Sequence, residues 1–191
     1  MGTRILHLVR HGHFIRDKKD LKHGHLTPLG LYQAAKLSKR LGETDFDIAY
    51  VSTTTRTRET ADIILNSISV PKVSRSSLLV EGLPYFPTYK AKKMNLKEGY
   101  VTKSTQRLER AFAKHFRPLK GNKTRNELLV CHGNVIRFFT AKALGMSPKN
   151  WTNFDILQCS LTRIAIEDDG SFKILSFAEI GHIPIKKRTF L

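Results

Sequence analysis

Arg4-Ile5-Leu6-His7-Leu8-Val9-Arg10-His11-Gly12 is an apolar run that ends abruptly on a cation, an imidazole and a glycine. Residues 4–9 have the near-continuous apolar character of a strand covered on both faces. A strand with that ending presents Arg10 and His11 together at the mouth of a sheet. The planar fork of arginine binds phosphate bidentately, and a neutral imidazole nitrogen can attack phosphorus. The pattern returns as Leu128-Leu129-Val130-Cys131-His132-Gly133-Asn134. Two histidines at the ends of two buried strands, beside an arginine that stays charged, point to phosphoryl transfer through a phosphohistidine.

The chain around these two units alternates in type. Leu26-Thr27-Pro28 opens a helix, with Thr27 as N-cap and Pro28 in the first turn. Leu31, Ala34, Ala35, Ser38 and Leu41 follow at helical spacing up to Gly42. Residues 47–52 read as a strand, followed by a helix from near Arg56 that turns Ala61, Ile64 and Leu65 inward. Leu78-Leu79-Val80 reads as a further strand, closed by Glu81. A polar, aromatic and lysine-rich excursion then runs from Glu81 to about Ser104, and substrate selectivity is expected to reside there. Helices are predicted at about 105–116 and 134–144, and a hairpin joins 160–166 to 172–178 around Asp168-Asp169-Gly170. This alternation predicts an α/β fold, a three-layer α/β/α sandwich on a mostly parallel central sheet, with residues 1–191 as a single domain. Functional groups then gather at the carboxyl ends of the strands, where Arg10, His11, Arg56, Glu81 and His132 all fall.

Composition narrows the partners. Of 191 residues, 33 are Lys or Arg and 16 are Asp or Glu, a formal charge of +17 that favours anionic partners. The lysines from Lys90 through Lys123, with Tyr85, Phe86, Tyr89 and Tyr100, could be read as a nucleic-acid platform. A basic rim that attracts phosphorylated substrates explains them with fewer assumptions, so nucleic acid is disfavoured. Cys131 and Cys159 lie in apolar runs and read as buried reduced thiols. The N-terminus carries no long apolar h-region and no stretch approaches a membrane span, so a cytoplasmic protein without a membrane partner is expected. His11-x-His13 and His23-x-His25 resemble metal-ligand spacings but lack further acidic ligands, so no metal and no cofactor are expected. His23 and His25 read as loop or rim residues.

Four ordered motifs together resemble the histidine phosphatase superfamily, the phosphoglycerate-mutase-like fold. They are Arg10-His11-Gly12, then Leu26-Thr27-Pro28-Leu29-Gly30 with Gln33-Ala34, then Ser52-Thr53-Thr54-Thr55-Arg56-Thr57-Arg58-Glu59-Thr60, and finally Cys131-His132-Gly133-Asn134-Val135-Ile136-Arg137. A finer likeness, through 78–84, Leu144, Trp151 and Gly181-His182-Ile183-Pro184, is to the Ser/Thr protein phosphatases of the phosphoglycerate mutase family member five type. That group has Ser at the place of Gly12 and Gln at the place of His13. Asp17 stands where mutases and sugar bisphosphatases often have Asn, which argues against a close match to them.

The resemblance implies a phosphomonoester hydrolase with His11 as nucleophile and Glu81 as proton donor and acceptor. Arg10, Arg56 and His132 would hold the phosphate oxygens. A phosphoserine or phosphothreonine protein is the preferred substrate. A small phosphate ester or a protein phosphohistidine is the alternative, and a non-catalytic basic binding protein that keeps the fold is a third class. Trp151, read as exposed, and the C-terminal tail are the surfaces through which a homodimer would form.

Overall fold

Alternation along the strands sets the layers. The structure is a computed structural model that describes residues 2–16 and 24–190. Its strands are β1 (Arg4–Arg10), β2 (Ile48–Ser52), β3 (Val73–Ser76), β4 (Arg125–Cys131), β5 (Leu161–Ile166) and β6 (Phe172–Glu179). They form one sheet in the order β3-β2-β4-β1-β5-β6. The first four are parallel, whereas β5 and β6 run antiparallel as the expected hairpin.

Successive strand residues face opposite sides. Leu6, Leu8, Leu129 and Cys131 therefore pack on one face with Leu108 and Phe112 of α4 (Tyr100–His115) and Val135 and Phe139 of α5 (Gly133–Ala143). Val9, Leu128 and Val130 face the other way, against Ala34 and Leu37 of α1 (Pro28–Leu41) and Ala61 and Ile64 of α2 (Thr55–Leu65). The result is the expected α/β/α arrangement. Thr27 caps α1 by accepting from Gly30 N at 3.2 Å, with Pro28 in the first turn.

Three expectations are corrected. Residues 77–79 form a 3₁₀ turn after the short β3, so Glu81 follows a turn and an extended residue instead of a strand. The helix predicted from Thr105 begins at Tyr100, because Val101 and Ser104 carry its inward face back by a turn. Trp151 is buried: its Nε1 donates to Pro84 O at 2.5 Å and its ring lies against Phe86. It offers no exposed surface for a homodimer. The 82–104 excursion includes a short helix, α3 (Thr88–Lys93). Asp17 and His23 lie outside the described residues.

Candidate active site

Strand register brings the two histidines together. β1 and β4 pair in parallel with Arg10 level with Cys131, which places His11 level with His132. His11 N donates to Cys131 O at 3.1 Å, and the imidazole centroids stand 5.1 Å apart. Both side chains are buried.

The hydrogen bonds assign the tautomers. Arg56 Nε lies 3.1 Å from His11 Nε2 and can only donate, so that nitrogen carries a lone pair. His11 Nδ1 then holds the proton and donates to Gly12 O at 2.9 Å. Burial, followed by the Arg56 and Arg10 charges, drives the His11 pKa well below its ordinary value. The imidazole is therefore neutral at neutral pH, with Nε2 as its nucleophilic atom. Arg56 Nη2 reaches His132 Nδ1 at 3.3 Å, so His132 carries its proton on Nε2 and donates it to Ser52 Oγ at 3.0 Å. Burial, His11 and the charges of Arg56, Arg10 and Arg107 also lower the His132 pKa strongly. Phe14 packs its ring edge on His11 and carries the Arg56 guanidinium over its face, 4.7 Å from the centroid.

Arg10 lies close enough to this pair for its charge to act on both His11 and His132. Its Nη1 donates to Ile156 O, and its Nε has no hydrogen-bond partner among the described residues. Gly133, the first residue of α5, makes room for it: a Cβ there would stand 3.3 Å from Arg10 Nε. The α5 N-terminus also holds Glu81, because Asn134 N donates to its Oε1 at 3.2 Å and Asn134 Nδ2 donates to Gly82 O at 3.1 Å. Burial raises the Glu81 carboxyl above its ordinary range, and the Arg10 and Arg56 charges oppose that shift. Arg107 of α4 fixes the backbone here, donating to the carbonyls of Leu78, Val80 and Glu81, the last at 3.0 Å.

All five residues named from the sequence, Arg10, His11, Arg56, Glu81 and His132, thus belong to one hydrogen-bonded and electrostatically coupled group. Several partners had no individual role assigned from the sequence. Ser52 orients His132, and Thr60 Oγ1 accepts from Gly12 N at 3.1 Å while donating to Arg56 O at 2.7 Å. Glu59 accepts from Leu26 N at 2.7 Å and contacts His25 Nδ1 at 2.5 Å. The helical spacing of Arg56, Glu59 and Thr60 was the available signal, since i, i+3 and i+4 share a face. Asn134 stood in the second histidine motif, whereas Arg107 carried no mark. His13 contacts Thr27 Oγ1 at 2.8 Å and, through its backbone N, donates to Gln33 Oε1 at 2.9 Å. Among the described residues no three His, Cys, Asp or Glu side chains are grouped to hold a metal ion.

Comparison with known proteins agrees with this geometry. The family model described as the histidine phosphatase superfamily (branch 1) matches residues 6–81 and 91–179. A protein of Caenorhabditis briggsae named serine/threonine-protein phosphatase Pgam5, mitochondrial, is 38% identical over 195 residues, covering 99% of this chain and 68% of its own length. Its namesake in Xenopus tropicalis is 32% identical, covering 97% of this chain and 68% of its own length. Among solved structures, phosphoglycerate mutase from Plasmodium falciparum superposes with a TM-score of 0.67 at 25% identity, covering 97% of this chain and 96% of its own. Bacillus stearothermophilus YhfR has the same fold, with a TM-score of 0.73 at 20% identity, covering 95% and 100%.

The mitochondrial names of these relatives overturn the cytoplasmic expectation. That expectation rested on the lack of an apolar h-region, which bears on secretion and not on import into an organelle. By sequence over almost its whole length, and by fold, the chain belongs to branch 1 of the histidine phosphatase superfamily.

Proposed function

We propose that this histidine phosphatase hydrolyses phosphoserine and phosphothreonine esters in proteins through a phosphohistidine at His11. The observation that carries the chemistry is the 3.1 Å contact from Arg56 Nε to a lone pair on His11 Nε2, with the proton held on Nδ1 by Gly12 O. The substrate class is supported by the names of the relatives that match nearly the full chain.

In the first displacement the Nε2 lone pair forms an N–P bond while the P–O ester bond breaks. The bonding pair leaves on the serine or threonine oxygen, which takes a proton from the neutral Glu81 carboxyl. Water then loses a proton to the Glu81 carboxylate and attacks phosphorus. The N–P pair returns to Nε2, and phosphate departs with Glu81 protonated again. An alkoxide is a poor leaving group, so a carboxyl whose pKa burial has raised suits the first step. Arg10 and Arg56 stabilise the charge that shifts onto the equatorial oxygens. Neutral His132 directs its proton to Ser52, so it adds a third charged donor only once protonated, which a phosphate dianion placed against it favours.

Rapid quench with a radiolabelled phosphothreonine peptide tests the reading. A phosphoenzyme that survives alkali and is lost in acid is expected. The His11→Ala variant should form none and should lose at least about a thousandfold in turnover. A folded His11→Ala variant with normal turnover would refute the assignment.

A further inference from the structure

The excursion after Glu81 leaves and rejoins the fold at one place. Gly82 lies so close to the start of α4 that a Cβ on it would stand 3.1 Å from the Ser104 Cβ and 2.7 Å from Arg107 Nη2. Tyr85 N donates to Thr105 Oγ1 at 2.9 Å, and Pro84 O is held by Trp151. Residues 82–104, the last five of them the start of α4, therefore form a closed excursion based on the backbone of the proton donor. The loop buries little beyond that base: α3 buries only Ala91, whereas Tyr89 and Met94 are 63% and 55% exposed.

Its charge is one-sided. Lys90, Lys92, Lys93, Lys97 and Lys103 are all exposed, and Glu98 is the only acid in the segment. None of the five lysines joins an ion pair among the described residues, whereas Lys142 pairs with Glu109 and Lys173 with Glu167 elsewhere on the surface. Adjacent unpaired cations repel one another, and an acidic partner relieves that repulsion. Two exposed apolar side chains among them add contact area that a simple ion atmosphere would not use.

We propose that this loop docks acidic residues flanking the phosphorylated side chain of the protein substrate. The inference rests on the phosphoprotein reading above. Lys103 adjoins Ser104 at the base of the excursion, and even Lys90, eight residues beyond Gly82, is at most about 29 Å away along an extended chain. Acidic positions within about eight residues of the phosphorylated residue are therefore in range, since an extended peptide advances about 3.3 Å per residue. A peptide in the site meets this surface as it leaves the proton donor, which favours a peptide over a lipid bilayer as the occupant.

The test uses the full chain and three substrates: para-nitrophenyl phosphate, a phosphothreonine peptide with Asp and Glu flanks, and the same peptide with Ala and Gln flanks. At low salt the acidic peptide should show a kcat/KM about tenfold higher, chiefly through KM, and the advantage should shrink as salt rises. Lys90→Glu/Lys92→Glu/Lys93→Glu should abolish the advantage and leave para-nitrophenyl phosphate hydrolysis unchanged, which also reports correct folding. Equal rates for the two peptides, or an acidic preference that survives the triple variant, would overturn the docking proposal and leave the phosphoprotein reading standing. Hydrolysis of the small ester but of neither peptide would defeat that reading, and the docking proposal with it. Loss of binding to phosphatidylserine vesicles by the variant, with peptide kinetics unaltered, would reassign the loop to lipid.

Discussion

Arg56 couples the two imidazoles, donating from Nε to one and reaching the other from Nη2. A lysine keeps the charge but has one nitrogen where the guanidinium has a fork. Arg56→Lys should therefore lower kcat/KM by about a hundredfold or more, equivalent to about 2.7 kcal/mol of transition-state stabilisation, as read by steady-state kinetics. The two titrating groups set the pH profile from opposite sides. His11 must be neutral, and its lowered pKa puts the acid limb well below pH 6.5. Glu81 must be protonated to release an alkoxide, and its raised pKa moves the alkaline limb upward from the ordinary carboxylate range. Glu81→Gln should cost at least about a hundredfold on a phosphothreonine peptide and much less on an aryl ester, whose leaving group needs no proton. The comparison is made on kcat/KM, which reports the first displacement, and equal losses there on the two substrates would remove Glu81 from protonation of the leaving group.

Between residues and fold, α4 acts as a clamp. Arg107 gathers the carbonyls of Leu78, Val80 and Glu81 and so aims the Glu81 side chain at the α5 N-terminus. Arg107→Ala should slow phosphothreonine hydrolysis by about tenfold with a smaller effect on an aryl ester, and added guanidinium should restore part of the loss. A general loss of packing would show neither the leaving-group dependence nor the rescue. The junction of β1 with α1 is equally tight. A Cβ on Gly30 would come within 2.0 Å of His13 O, and backbone cannot yield as a flexible side chain can. Gly30→Ala should destabilise the fold by about 1–3 kcal/mol in urea titration and weaken activity by displacing the turn that carries His11.

At the scale of the molecule, buried histidines make the fold sensitive to acid. His7, edge-on to Phe46 and bonded to Asn126, and His115, against Tyr50, both have pKa values lowered from 6.5 to about 4, chiefly by burial. Their unfolded forms take up protons below about pH 6.5 while the folded forms resist until about pH 4. Stability is thus present above that window and lost as pH falls through it, by up to about 1.4 kcal/mol per pH unit for each residue. Chemical denaturation at pH 7 and pH 5 should show this slope, and His115→Leu should reduce it. His11 and His132 push in the same direction.

The strand endings at Arg10-His11 and His132 were legible in the chain because a strand covered on both faces must be apolar throughout, and polar residues at its end stand out. Arg56 was legible because it stands just past the apolar run of β2, within the Ser52–Thr60 motif. Glu81 was found beside its apolar run, although the run forms a 3₁₀ turn and not a strand. Trp151 misled, since nothing near it in sequence announces Pro84 O and Phe86, which lie more than sixty residues earlier. The side-by-side placement of His11 and His132, the tautomer of each and the Arg107 clamp came from the folded chain alone. Register and hydrogen-bond direction depend on which segments meet, and pairwise contacts between distant segments leave no periodicity in the local pattern.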